Sequence, residues 1–173
     1  MQEAKIVPDA IDVAPTKVLQ ITYPNGVVVK QGNDLTPTQV KDQPTLHWDA
    51  DEYKLYTLLM TDLDPPREMT EVCHWLVVNI PGNKILEGQT VMEFVGSGPS
   101  LGSGKHRYVF FVFEQANAIK TNVFITKTTI EGRINKATRD LIKEYNLGVP
   151  VAGNFYWSEY DDYVPFLHAT FNK

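Results

Sequence analysis

The chain contains little cysteine and no cluster of positive charge. Cys73 is the single cysteine among 173 residues, so no internal disulfide can form, and nothing marks a fold built for an oxidising compartment. The formal net charge is −5, and no run of lysine and arginine exceeds two adjacent residues. Because an acidic surface repels nucleic acid at long range, we expect no DNA or RNA partner.

The chain also lacks long hydrophobic runs. Apolar stretches such as 75–80 and 108–113 are six residues long, far below the roughly 20 residues of a membrane-spanning helix. The first twenty residues carry Glu3, Asp9 and Asp12 and have no apolar core of the kind that a signal peptide needs. We therefore expect a protein of the cytoplasm, with at most peripheral contact to a membrane.

What the chain does have is enough apolar residues for one core. Hydrophobic residues make up 43% of the sequence and charged residues 21%, which is ordinary for a globular protein. A chain of 173 residues is long enough for one good core and short for two. We expect a single domain over 1–173, and the ordinary acidic surface is compatible with a monomer.

Strand patterns dominate most of the chain. Residues 24–26 (Pro-Asn-Gly) and 81–83 (Pro-Gly-Asn) are strong turn signals between apolar, β-branched runs. The stretches 53–62, 73–80 and 107–114 are largely apolar, which predicts strands buried on both faces. The full set of predicted strands is 17–23, 27–30, 45–48, 53–62, 73–80, 90–95, 107–114 and, at an edge, 123–130.

The last quarter of the chain changes to helical spacing. Apolar residues recur at this spacing at Ile134, Ala137, Leu141 and Tyr145. Gly132 or Asn135 could start this helix, and Gly148 is expected to end it. A second helix is predicted from about 159 to 171, with Pro165 tolerable only in its first turn. The sequence thus predicts a mostly β domain with C-terminal helices.

A pair of carboxylates follows the longest predicted strand. Asp62 and Asp64 are two residues apart, and Pro65 biases Asp64 towards an extended conformation, so we expect both side chains to face the same way. Taken alone, the two aspartates could equally be solvated turn residues.

A glycine-rich segment at 96–104 precedes another apolar strand. Its glycines can let several backbone N–H groups converge on an anion, although such loops are often only tight turns. His106 and Tyr108 should share one face of the strand that follows, with Arg107 on the other.

Standard catalytic and nucleotide-binding motifs are absent. Gly104-Lys105 is followed by His106, which breaks a Walker A loop, and Leu101 breaks a dinucleotide fingerprint. Cys73 and His74 are strand neighbours that face opposite ways, which argues against a nucleophilic pair. No serine nucleophile elbow and no zinc-type spacing occurs. We therefore expect no catalytic residue, no metal, no cofactor and no enzymatic activity.

Several segments together, in their order and spacing, resemble one known family. They are Asp62-Leu63-Asp64-x-Pro66, 73–80 (Cys-His-Trp-Leu-Val-Val-Asn-Ile), Gly96-Ser97-Gly98-Pro99, Gly104-x-His106-Arg107-Tyr108, 148–156 and 161–165. They are similar to the phosphatidylethanolamine-binding proteins (the PEBP or Raf kinase inhibitor protein family) over nearly the whole chain. The resemblance implies two antiparallel sheets with C-terminal helices. It also implies an anion pocket lined by Asp62, Asp64, Pro66, His74, Gly98, Pro99, His106 and Tyr108.

The rim of the implied pocket departs from the family pattern. Leu63 stands where the family usually has proline, and Val72 where a tryptophan commonly lines the pocket. His168 stands where a tyrosine of the last helix often closes it, and we count His168 among the expected ligand-binding residues.

The resemblance implies a non-enzymatic protein that binds phosphate-bearing head groups such as phosphatidylethanolamine or phosphoethanolamine. His74, His106 and Tyr108 could donate to the phosphate, and the aspartates could accept from the ammonium. A carboxylate beside a histidine raises the pKa of the imidazole, which favours a charged donor. Family members also inhibit Raf-type kinases or serine proteases, so modulation of a kinase is expected. A protease inhibitor or interaction module, and an Asp/His acid–base hydrolase, remain alternatives.

Overall fold

The computed structural model describes residues 1–171 of the chain. The fold is mostly β, with two sheets, as predicted. The strands are β1 (Lys17–Val18), β2 (Gln20–Thr22), β3 (Asn33–Asp34), β4 (Thr45–His47), β5 (Leu55–Asp62), β6 (Val72–Pro81), β7 (Gln89–Met92), β8 (His106–Gln115) and β9 (Ala152–Ser158). The helices are α1 (Ile6–Asp9), α2 (Thr138–Glu144) and α3 (Val164–His168), with a short 3-10 helix at Ile85–Glu87.

The larger sheet has the strand order β1-β9-β8-β5-β6-β7, and β3 also pairs with β9. Its centre, from β9 to β7, is antiparallel as expected. The two short strands β1 and β3 instead run parallel to β9, so the antiparallel expectation fails at this edge. The smaller sheet is the antiparallel pair β2 and β4.

Burial on both faces explains why the three central strands are largely apolar. One face of β8 contributes Tyr108, Phe110 and Val112 to a core shared with the small sheet. The other face contributes Val109, Phe111 and Phe113 to a second core beneath α1 and α2. Side chains alternate along a strand, so a strand between two cores is apolar at every position.

The strand β9 was not predicted. Its sequence contains Gly153 and Asn154, which have low strand propensity. Tertiary contacts offset this: the Asn154 amide donates to the carbonyls of Leu19 and Val29 at 2.8 and 3.1 Å. Partners more than 120 residues away stabilise this strand, and local pattern does not reveal them.

Two predicted strands are reduced to single bridges. The edge strand expected at 123–130 is wrong, because Ile125 alone bridges Met92 there. The carbonyls of Thr126 and Thr129 accept hydrogen bonds from Arg133 instead of from a neighbouring strand. The segment 27–30 returns after its turn as expected, but it forms one bridge.

The C-terminal helices exist but are shorter than predicted. Asn135 has φ 60°, which is left-handed, so α2 starts only at Thr138. Asn146, with a left-handed φ of 52°, lies just after the end of α2. Gly148 was expected to end this helix, which therefore ends earlier than predicted. Pro165 lies in the first turn of α3, as expected. Within residues 1–171 no helix is long and apolar enough to span a membrane.

Candidate functional site

A cavity of about 250 Å³ opens where three central strands end. Asp62 ends β5, His74 lies near the start of β6, and His106 starts β8. Because β5 runs antiparallel to both neighbours, these three ends meet at one edge of the sheet. A larger cavity of about 390 Å³ lies beside Lys41, but none of the expected site residues reaches it.

The structure brings most of the expected residues to the smaller cavity. Those that line it are Asp62, Pro66, His74, Gly98, His106, Tyr108 and His168. Asp64 and Pro99 are not among its lining residues. Within residues 1–171, no group of three or more His, Cys, Asp or Glu side chains is suited to a metal ion.

Asp62 and His106 form a buried pair at the centre of the cavity wall. Asp62 Oδ2 lies 2.9 Å from His106 Nδ1, and both side chains are less than a tenth exposed. On the other side of the ring, His106 Nε2 lies 2.8 Å from Ser103 Oγ. The Ser103 hydroxyl also lies 2.7 Å from the carbonyl of Ser100. Since a carbonyl only accepts, the hydroxyl donates to Ser100 and accepts from His106 Nε2–H.

The expectation that Asp62 and Asp64 face the same way is wrong. The Arg107 guanidinium binds both Asp64 oxygens at 2.8 Å, on the face of β8 away from the cavity. The chain turns at the end of β5, where the Asp64 N–H donates to Asp62 Oδ1 at 2.8 Å, so strand alternation no longer applies. Burial alone would raise the pKa of Asp64, but the hydrogen bonds from Arg107 outweigh it and hold that pKa below its ordinary value.

His74 is a neutral group, contrary to the expectation of a charged donor. Burial lowers the pKa of its imidazole, and this effect outweighs the attraction of the Asp62 carboxylate. Nδ1 lies 2.9 Å from the carbonyl of Val95, which requires a proton on Nδ1. Nε2 then carries a lone pair and is an acceptor.

Tyr108 presents a buried hydroxyl in the cavity wall. Among residues 1–171 this hydroxyl makes no hydrogen bond of normal geometry, although the Asp62 carboxylate and the main chain of Gly98 lie close enough to influence its pKa. Its ring stacks on His106, with centroids 6.2 Å apart, and meets His74 edge-on at 5.3 Å. Burial, reinforced by the Asp62 charge, raises the pKa of Tyr108 well above its ordinary value, so the phenol remains a donor.

The helix α3 covers the mouth of the cavity. His168 Nε2 lies 2.8 Å from the carbonyl of Gly98, which links the helix to the glycine-rich loop. A Cβ at Gly98 would lie 2.9 Å from a Leu167 methyl and 3.1 Å from His168 Nε2. A side chain at position 98 would therefore require Leu167 and His168 to move.

Ser103, which contacts His106, and Arg133 are among the residues of this region that were not predicted. Ser103 lies three positions before His106, so its spacing within the glycine-rich loop was a usable signal. Arg133 lines the cavity and is 1% exposed. Arg133 is distant in sequence from the other residues of the site, and its partners are main-chain carbonyls. No sequence motif therefore indicated that it belongs to the cavity.

A family model for phosphatidylethanolamine-binding protein matches residues 25–157. The chain belongs to the phosphatidylethanolamine-binding protein family. It is 35% identical over 175 residues to "Putative odorant-binding protein A5" of Drosophila melanogaster, covering 98% of this chain and 83% of the relative. It is 40% identical over 159 residues to the 26 kDa secreted antigen of Toxocara canis, covering 89% of this chain and 61% of that relative.

Solved structures agree with this family. The solution structure of CG7054 has a TM-score of 0.80 at 42% identity and covers 98% of this chain and 99% of that one. The inhibitor of carboxypeptidase Y, solved in complex with its cognate proteinase, has a TM-score of 0.75 at 24% identity and covers 92% of this chain and 93% of that one. At that identity the inhibitor shows the fold alone.

The relatives correct one expectation and support another. One is named a secreted antigen and the other an odorant-binding protein, which contradicts the expectation of a cytoplasmic protein. The presence of a single cysteine did not indicate the compartment, because a domain with two hydrophobic cores needs no disulfide even outside the cell. Both names describe binding or secreted proteins, which supports the broad expectation of a binding protein.

Proposed function

We propose that the cavity binds a small phosphate-bearing head group, such as phosphoethanolamine or the head of phosphatidylethanolamine, and that the protein is a binder without enzymatic activity. The observation that supports this most is the buried Tyr108 hydroxyl beside the Asp62–His106 pair, which makes no hydrogen bond of normal geometry within residues 1–171. A buried polar group normally has a partner, so this hydroxyl is suited to an oxygen of a ligand.

The polar groups match both charges of a phosphoethanolamine. The Tyr108 hydroxyl and the Nε2–H of His106 can donate to phosphate oxygens. The Nε2 lone pair of His74 and the Gly98 carbonyl can accept from an ammonium. Hydrogen bonds to charged groups contribute about 1.5–3 kcal/mol each, so three or four suffice for a weak-to-moderate ligand after the cost of association.

The size of the cavity favours a head group over a whole lipid. Its volume of about 250 Å³ lies below the roughly 300–1,000 Å³ of sites for drug-sized ligands. Acyl chains would remain outside, so an intact lipid would be held by its head at a membrane surface. Peripheral membrane contact is part of this proposal.

Titration with phosphoethanolamine and with inorganic phosphate, followed by NMR, tests the proposal. We expect millimolar ligand to shift the signals of His106 and Tyr108, and we expect His106→Ala to abolish the shifts without unfolding the protein. His47→Ala is the matched control, because His47 is an exposed histidine on β4. Unmoved His106 and Tyr108 signals in the unmodified protein would overturn the proposal.

One hydrogen-bond chain favours a second candidate function, a serine hydrolase. Ser103, His106 and Asp62 are linked in the order of a catalytic triad, at 2.8 and 2.9 Å. The Ser103 hydroxyl donates to Ser100, however, and so does not offer its proton to His106. We expect no labelling of Ser103 by a fluorophosphonate probe. Labelling that is lost in His106→Ala would favour the hydrolase.

The proposal also includes a protein partner, either a proteinase or a kinase. We propose a proteinase as the protein partner to test first, because a carboxypeptidase Y inhibitor with the same fold is known in complex with its cognate proteinase. Because the relatives are named as secreted or odorant-binding, we propose an extracellular location, where an intracellular kinase is not met. Modulation of a kinase is therefore the weaker partner hypothesis. Inhibition assays against a proteinase panel and against Raf-type kinases separate the two.

A further inference from the structure

Arg133 is a buried cation without an acidic partner. It is 1% exposed, and among the ion pairs of residues 1–171 none includes it. Glu93 offers its main-chain carbonyl to Arg133, while its carboxylate accepts the N–H of Lys127 at 3.1 Å. Burial lowers the pKa of Arg133, and the nearby Glu93 carboxylate opposes this only in part and without a direct bond. A buried charge is normally paired, so an unpaired guanidinium in a cavity wall requires an explanation.

Five main-chain carbonyls hold the guanidinium in place. Nε donates at 2.8 Å, the two Nη2 bonds are 2.8 and 2.9 Å long, and the two Nη1 bonds are 3.3 and 3.4 Å long. The acceptors are the carbonyls of Thr129, Glu93, Thr126, His74 and Cys73. All five N–H donors of the side chain are therefore used. The carbonyls solvate the cation, but they carry no net negative charge to cancel it.

Several of the other titratable groups in the cavity wall are neutral, so Arg133 has a large influence on the net charge of the wall. Burial raises the pKa of Cys73 to about 12, raises that of Tyr108 and lowers that of His74, so these three groups are neutral. The remaining titratable groups of the lining are Asp62, His106 bonded to it, and the exposed His168. Asp62 and His106 are bonded to each other, so Arg133 is the cation of this lining that is not bonded to a carboxylate within residues 1–171.

We propose that Arg133 determines the charge selectivity of the cavity: its positive charge, which no carboxylate of residues 1–171 bonds directly, attracts the anionic end of a ligand through the wall, without direct contact. This inference rests on the proposed function and identifies what makes the site an anion site. Its guanidinium lies directly behind the main chain of His74, at 3.3 Å from that carbonyl. In such a poorly screened position, a unit charge has a strong effect on a second charge in the cavity.

Three variants test the proposal, with inorganic phosphate as the probe. Arg133→Met removes the charge, Arg133→Lys keeps the charge but has fewer donors, and Arg139→Met is the matched control. Arg139 is an exposed arginine paired with Asp12, so its loss gives the same change in net charge. We expect Arg133→Met to weaken phosphate binding at least about tenfold. Arg133→Lys should remain within about threefold of the unmodified protein, and Arg139→Met within about twofold.

A purely structural role gives a different result. If Arg133 only ties its five carbonyls together, Lys and Met will weaken binding equally, because both break that network. A second measurement is the NMR titration of the His74 imidazole. Loss of the nearby cation should raise its pKa in Arg133→Met and leave it unchanged in Arg139→Met. Equal phosphate binding by Arg133→Met and the unmodified protein would overturn the inference and leave the proposed function standing.

The unmodified protein provides the test if both Arg133 variants fail to fold. Phosphate should then bind at least about tenfold more tightly than uncharged trimethyl phosphate, and equal affinity would overturn the role of Arg133. Absence of phosphate binding altogether, together with unmoved His106 signals, would overturn the proposed function itself. The two failures are thus distinguishable.

Discussion

Asp64 and Arg107 are joined by two parallel hydrogen bonds, each 2.8 Å long, on the opposite side of β8 from the cavity. The neighbouring residues Asp62 and His106 form the pair that faces the cavity. His106 and Arg107 are adjacent on β8, and Asp64 lies just beyond the end of β5, so a stabilising ion pair and a candidate binding pair lie on opposite sides of the sheet.

The first prediction follows from this separation. Asp64→Asn should leave the guanidinium, whose side chain is 10% exposed, with Asp9 as its remaining ionic partner. We expect a loss of about 1–3 kcal/mol in the free energy of unfolding, measured with urea, because a largely buried charge loses a bidentate partner. Phosphate affinity should stay within twofold.

Asp12→Asn is the control for this prediction, because its pair with Arg139 is exposed, and it should have little effect on stability. A large loss of phosphate affinity in Asp64→Asn, with unchanged stability, would place Asp64 in the binding site after all.

The second prediction concerns pH. The pKa of His74 is lowered in the folded protein, so below about pH 6.5 the unfolded chain takes up a proton that the folded chain does not. The contribution of His74 to stability is therefore present above that pH and lost as the pH falls. We expect the free energy of unfolding to decrease by up to about 1.4 kcal/mol per pH unit there.

Urea unfolding between pH 7 and pH 5 measures this slope. His74→Phe should flatten it, while His47→Phe, at an exposed position, should not. A His74 imidazole that titrates at or above its ordinary pKa by NMR would contradict the prediction.

The third prediction concerns Ser103. Its hydroxyl accepts the Nε2–H of His106, the same proton that a phosphate oxygen would accept. Removal of this competitor in Ser103→Ala should strengthen phosphate binding about two- to fivefold, which corresponds to about one hydrogen bond to a neutral acceptor. Calorimetric titration with phosphate measures the change. Weaker binding in the variant would mean that Ser103 holds the ligand instead.

The fourth prediction concerns the cover of the cavity. A methyl group at Gly98 would meet Leu167 at 2.9 Å, so Gly98→Ala should displace α3 and break the bond from His168. Overpacking of this kind costs about 1–3 kcal/mol, measurable by thermal unfolding. Gly148→Ala is the control, because a methyl group there meets nothing within 4 Å and should have no such cost. Equal unfolding temperatures would contradict the prediction.

The sequence predicted those parts of the fold that local pattern determines. The strands β5, β6 and β8 lie between two cores, and their largely apolar sequences indicate this. The alternation of His106, Arg107 and Tyr108 was also correct, because all three lie within a regular strand.

The parts that were missed depend on distant partners or on charge state. Strand β9 is stabilised by Asn154 contacts to residues far earlier in the chain. The direction of Asp64 is set by a turn just beyond the strand, where alternation stops. The neutral state of His74 depends on the depth of its burial, and sequence gives no measure of this depth.

Arg107 also connects the start of β8 to the beginning of the chain. Its Nη1 donates at 2.9 Å both to the carbonyl of Ala4 and to Asp9 Oδ2, while Ile6 is fully buried in the second core. The N-terminal residues 4–9 therefore pack against the face of β8 that points away from the cavity. Proteolysis of this N-terminal segment, or a bulky fusion to it, would loosen the guanidinium of Arg107. Because Arg107 is next to His106 on β8, the change would also alter the cavity on the opposite face of the strand.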